Sequence, residues 1–180
     1  MNIQTPEQIR NIEEYIQQWR TLREDFLHSI GQISENLFTK PIEKGWSASQ
    51  ISEHLFLSQY LFAIFLPKVL KGVKGYSKNE LNSINHQEII EKLSRPFSGI
   101  QNPVVVTPKN YWDKKTAIQN LKKSMQILER NLRNVDIKFL KERGAKHEIF
   151  GPISILDFIF ILLVHEKGHL EALKEKFLKN

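Results

Sequence analysis

The stretch GPISILDFIFILLVHEKGHLEALKEKFL, residues 151–178, decides how the chain folds. Ser154 and Asp157 are spaced as a helix-opening pair, although Asp is a weaker third-position partner than Glu or Gln. The helix they open should run to about Leu178. Its apolar run, Ile153 to Val164, includes Ser154 and Asp157 and falls far short of the ~20 residues that cross a bilayer, so it reads as a buried helix. The second half carries Glu171, Lys174, Glu175 and Lys176, so the helix enters the core and leaves it again. His165 and His169 stand four apart, on one face with Cβ atoms about 5–6 Å apart, close enough for both rings to reach one metal ion.

Upstream, three more segments carry helical periodicity and would bury faces against this one. From Thr5, read as a cap with Pro6 in the first helical position, Ile9, Ile12, Ile16, Trp19, Leu22, Phe26 and Ile30 recur at steps of three and four until near Gly31. Ser47 and Gln50 form a capping box that opens a second helix with a stripe through Ile51, His54, Leu55, Ser58, Phe62 and Val69. Pro67 should kink that helix or end it early. A third helix begins near Asp113 and should end near Val135. Residues 72–112 read as a crossover with little regular structure, apart from a short helix around residues 80–93, and residues 136–150 as a charged connection. Four amphipathic helices with one long crossover predict an all-α four-helix bundle, one domain spanning residues 1–180.

Composition narrows the chemistry. The 180 residues contain 41% hydrophobic and 26% charged side chains with only 8 Gly and 7 Pro, a balance that supports a folded core. Cysteine is absent, so a metal must use His, Asp or Glu, and the chain has no thiol nucleophile of its own. The net charge of +6 is spread along the chain without a basic cluster or an aromatic RNA-binding signature, which disfavours nucleic acid as a partner. The first residues, MNIQTPEQIRNIEEY, lack the pattern of a secretory signal and point to a cytoplasmic location; no membrane partner is expected.

His54 sits on the core stripe of the second helix. A buried imidazole needs a partner, and either a hydrogen bond or a metal ion would serve. Helices two and four of a bundle can face each other, so His54, His165 and His169 could form one site with open coordination positions for water or an exogenous thiol. His28 lies off its helix's apolar stripe, and His86 and His147 fall in connections, so these three are expected to be solvated. His165-Glu166-Lys167-Gly168-His169 also matches the HExxH pattern of zinc peptidases. Position 175 is Glu and the chain ends soon after His169, which leaves no room for their downstream ligand and cleft. Glu166 remains a candidate general base.

Two motifs carry a family resemblance. Trp46-Ser47 followed by His54-Leu55, and Phe150-Gly151-Pro152-Ile153-Ser154 followed by His165-x-x-x-His169-Leu170, are similar to those of the DinB superfamily, which includes YfiT-like metal-dependent hydrolases and the bacillithiol and mycothiol transferases. Pro103 and Pro108 resemble that family's loop before its third helix. The chain departs from the family in having Glu166 after the first paired His and in a long, hydrophobic fourth helix. The resemblance implies a bundle with a divalent ion, nickel, zinc or iron, held by His54, His165 and His169, often in a homodimer. It implies a metal-dependent enzyme that transfers a low-molecular-weight thiol to an electrophile or hydrolyses a small substrate. The other reading is a non-catalytic stress-response or interaction protein that keeps the bundle.

Overall fold

Asn11, rather than Thr5, opens the first helix, α1 (Ile12–Gln32). The Asn11 side chain accepts the Glu14 N–H at 3.2 Å, and the Glu14 carboxylate accepts from Asn11 Nδ2 at 3.1 Å and the Arg10 N–H at 3.3 Å. That reciprocal cap outcompetes Thr5, whose carbonyl closes a separate turn with the Gln8 N–H at 2.9 Å. Ile9 stays buried ahead of the helix, so the apolar spacing is real although the helix starts later. The computed structural model describes residues 2–41, 45–93 and 103–178.

The short α2 (Glu35–Phe38) leads to α3 (Ala48–Leu70), which opens on the expected box: Ser47 Oγ accepts the Gln50 N–H at 3.1 Å and Gln50 Oε1 accepts the Ser47 N–H at 3.0 Å. Pro67 does not stop α3. A proline here strips the Ala63 carbonyl of its partner four residues on, and Asn131 Nδ2 donates to that carbonyl at 2.7 Å instead. A neighbouring helix thus repairs the defect and α3 continues to Leu70.

The crossover is more ordered than its composition suggested. It holds β1 (Tyr76–Ser77), a 3-10 turn over Lys78–Glu80, α4 (His86–Leu93) and a second 3-10 turn over Val104–Val106. The part of the expected irregular stretch covering residues 94–102 lies outside the described residues. Then come α5 (Lys114–Leu132) and α6 (Ile137–Glu142). α5 stops before Val135 because Asn134 adopts a left-handed conformation, φ 64°, which ends a helix as a C-terminal glycine would.

The charged connection is in fact a hairpin. β2 (Arg143–His147) pairs antiparallel with β3 (Gly151–Ser154), with Ala145 opposite Ile153 and His147 opposite Gly151, and β1 adds to the other edge of β2. Gly144 permits this packing, since a Cβ there would sit 2.3 Å from the Ile153 carbonyl oxygen. α7 (Ile155–Phe177) follows at once, with Ser154 Oγ accepting the Asp157 N–H at 3.0 Å.

The architecture is a four-helix bundle of α1, α3, α5 and α7 with this small sheet at its side. α3 packs most extensively on α5 and α1 on α7, while α1 also meets α5 and α3 meets α7. Tyr15, Trp19, Phe26 and Phe160 are fully buried between them. Among the described residues no helix is long and apolar enough to cross a membrane.

Candidate metal centre

The packing of α3 on α7 brings the three distant histidines together. The His54 ring centroid lies 4.9 Å from that of His165 and 5.0 Å from that of His169, and the paired rings of α7 stand 4.5 Å apart, edge to face. Their Nε2 atoms converge: His165 Nε2 is 3.0 Å from His54 Nε2 and 3.0 Å from His169 Nε2. One ligand atom from each residue lies within 4.8 Å of the others. The central nitrogen carries at most one hydrogen, so it cannot bridge both neighbours by donation, whereas a shared cation satisfies all three.

His54 is oriented from behind. Its Nδ1 donates to the Val106 carbonyl at 2.8 Å, which assigns the tautomer and leaves the Nε2 lone pair free. Glu53, 2% exposed, secures the same loop by accepting from the Lys109 N–H at 3.1 Å, the Asn110 N–H at 2.7 Å and Asn110 Nδ2 at 2.6 Å. Trp46 covers the site, its ring 4.8 Å from that of His54.

Electrostatics keep the rings neutral. Burial lowers the pKa of His54 to about 4, partly opposed by the Val106 carbonyl. Burial, then the nearby His54 and Lys176, lowers that of His169 to about 3. His165 falls well below the ordinary range through burial and the neighbouring histidines. Three neutral imidazoles are the donor set for a borderline-soft divalent ion. At metal–nitrogen distances of about 2.0–2.1 Å, such an ion separates its nitrogens by about 3 Å, so the residues present fit it. The rings form one end of a cavity of about 1230 Å³.

A family model, described as the DinB superfamily, matches residues 13–173. The chain belongs to the DinB superfamily. The same fold is seen in the structure of YfiT from Bacillus subtilis, described as a probable metal-dependent hydrolase with an unusual four-helix bundle topology. That structure aligns with a TM-score of 0.63 at 14% identity, covering 100% of this chain and 93% of the other. No curated protein matches the chain.

Within this DinB bundle the sequence-predicted residues part company. His54, His165 and His169 meet; Glu166 does not join them. Its Oε2 accepts from Trp19 Nε1 at 2.7 Å and Arg23 Nη2 at 2.8 Å, and its Oε1 from Arg23 Nε at 2.6 Å. One residue beyond His165, the helix turns its side chain toward α1, and the carboxylate serves a buried ion pair. Arg23 escaped the sequence reading, although a charge four residues after Trp19 within an apolar stripe was a visible signal. Glu53 carried no such signal, because its partners, two backbone N–H groups and the Asn110 side chain, belong to a distant loop.

The solvated reading fails for two other histidines. His86 is clamped between Asp157, at 2.7 Å from Nε2, and Glu7, at 3.0 Å from Nδ1. His147 packs between Phe150 and Phe158, with centroids at 4.9 and 5.0 Å, and lines the cavity. The missed hairpin explains the second error, since a strand brings His147 inward where a connection would leave it in water. His28 is exposed as expected.

Proposed function

We propose that the chain is a divalent-metal-dependent enzyme whose ligands are His54, His165 and His169, acting on a small substrate held in the adjoining cavity. The convergence of three neutral Nε2 atoms, those of His54 and His169 each 3.0 Å from that of His165, carries this reading. A metal ion there supplies Lewis acidity, which brings deprotonation of water or a thiol toward neutral pH. The chain holds the three nitrogens through the Val106 carbonyl and the one-turn spacing on α7, and Trp46 restricts water on one side.

The nucleophile comes from solution. Cysteine is absent, and the Glu166 carboxylate is committed to Arg23 and Trp19. Water gives hydrolysis; a low-molecular-weight thiol gives S-transfer to an electrophile. A cytoplasmic location and pairing of two copies belong to the same reading.

The test is elemental analysis of protein purified without an affinity tag, repeated on His169→Ala. The expected result is near-stoichiometric nickel, zinc or iron in the parent and little in the variant; equal metal in both overturns the site. Reconstituted protein should then turn over an activated ester, or conjugate a thiol to an activated aryl halide. Either activity should vanish in His54→Ala and after chelation.

A further inference from the structure

The cavity beside the histidines has a length, a lining and a charge distribution that together describe its occupant. His54, Ser58, Phe65 and Lys68 all line it and lie at offsets of 0, 4, 11 and 14 residues, one face of α3. Phe158, Ile161, His165 and His169 line it from α7. Phe62 stacks on Phe158 at 4.6 Å while His54 meets His165, so the two helices run antiparallel along a trough. Fourteen residues of helix extend about 21 Å, which separates the histidine end from Lys68.

The walls are apolar and continue outward as an apolar mouth. Leu61, Ile64, Val105 and Ile149 are 36%, 46%, 64% and 50% exposed and all line this cavity. They are half of the eight large hydrophobic side chains left exposed among the described residues. Exposed apolar surface gathered at one concave site marks a place where apolar matter binds.

The far end is cationic. Lys68 lies in the last turn of α3, and β2, which carries Lys146, passes that end, since a Cβ added at Gly75 would meet both the Gly144 carbonyl oxygen and the Val69 side chain. Both lysines line the cavity, both are exposed, and neither has an ion-pair partner among the described residues. Lys92, a third lining lysine, is paired with Glu88 at 2.5 Å. Glu148 is the one carboxylate among the described lining residues.

We propose that the trough binds an elongated amphiphilic anion. Its apolar body lies between α3 and α7, its anionic end rests on Lys68 and Lys146, and its opposite end is presented at the three histidines. This names the substrate class of the proposed enzyme and rests on that reading only for which end reacts. A thiol or ester of small polar type leaves most of about 1230 Å³ unfilled, and a flat protein partner would not use the depth of the trough. These two lysines, unpaired among the described residues, favour an anionic end over a neutral one.

The experiment is isothermal titration of chelator-treated protein with decanoate, dodecanoate, dodecanol and dodecyltrimethylammonium below their micelle concentrations. Affinity should rise about fourfold per methylene from decanoate to dodecanoate, and dodecanoate should bind more tightly than either of the other twelve-carbon heads. In the double variant Lys68→Glu/Lys146→Glu, dodecanoate should weaken about tenfold while dodecanol is unchanged; Lys122→Glu, an exposed lysine outside the cavity, should match the parent. Ser58→Trp should weaken all of the probes by filling the trough. Equal affinity for the three heads, an unchanged double variant, no binding, or burial of the mouth in a dimer that the probes do not disturb overturns the inference. Because the metal has been removed, failure here leaves the histidine site standing, and failure to load metal leaves this binding intact.

Discussion

Arg23 and Glu166 face each other inside the bundle, Nε to Oε1 at 2.6 Å, with side chains 3% and 2% exposed. The pair joins α1 to α7, and Arg23 extends it to the Leu121 carbonyl and Gln59 Oε1, so all four bundle helices meet at one guanidinium. Removing one member strands a buried charge. Arg23→Met should therefore cost about 3–5 kcal/mol, whereas Arg23→Met/Glu166→Met should cost clearly less than the two single variants summed. Urea titration of the four proteins checks this; additive costs would show that the pair acts as two independent residues.

Opposite pH dependences are expected from two histidines. Burial tends to lower the pKa of His86, but the hydrogen bond and charge of Asp157, with Glu7, outweigh it and raise the value. A raised folded pKa gives stability that is complete below the unfolded value of about 6.5 and fades as pH climbs through the folded one. For His147, burial lowers the pKa to about 4, so its contribution is present above about 6.5 and is lost as pH falls toward about 4. His86→Phe should flatten the alkaline limb of a stability–pH curve, and His147→Phe the acid limb. Urea midpoints across both windows read the slopes, and variants that leave them unchanged would refute the assignment.

Asn131 and Pro67 should prove coupled. With Pro67 in place, Asn131→Leu strips the Ala63 carbonyl of the Asn131 Nδ2 donor and should cost about 1–3 kcal/mol. In a Pro67→Ala background the restored N–H reaches that carbonyl, and Asn131→Leu should cost substantially less. Thermal or urea denaturation of the cycle measures the coupling; equal costs in both backgrounds would mean that Asn131 does not repair α3.

The elements legible in the sequence were those whose causes are local. The Ser47–Gln50 and Ser154–Asp157 caps placed α3 and α7 to within a residue, and the stripe through Trp19 and Phe26 marked the buried face of α1. The three histidines were legible as a set because two share a helix face and the third sits on another apolar stripe. What escaped depends on distant partners. Asn131 rescues α3 beyond Pro67 from a residue 64 positions away, Arg23 turns Glu166 from a candidate base into a buried counter-ion, and a three-stranded sheet draws His147 out of solvent. Thr5 misled for a different reason: two capping signals competed, and the one with a reciprocal Glu14 bond prevailed.

Glu53 gives the last prediction, and it separates loop anchoring from metal ligation. Three hydrogen bonds accepted by its carboxylate hold residues 109–110 against α3, and the same loop presents the Val106 carbonyl to His54 Nδ1. In Glu53→Ala the loop loosens, the His54 ring loses its fixed tautomer and direction, and metal affinity should fall about 10–100-fold. The three histidines proposed as ligands remain, so stoichiometry at saturating metal should match the parent, unlike His54→Ala, which removes one of them. Glu53→Gln, which still accepts backbone N–H groups, should fall between. Competition against a chromogenic chelator, run after circular dichroism confirms folding, distinguishes these cases. Parent-like affinity in Glu53→Ala would show that the Val106 bond is maintained without this anchor.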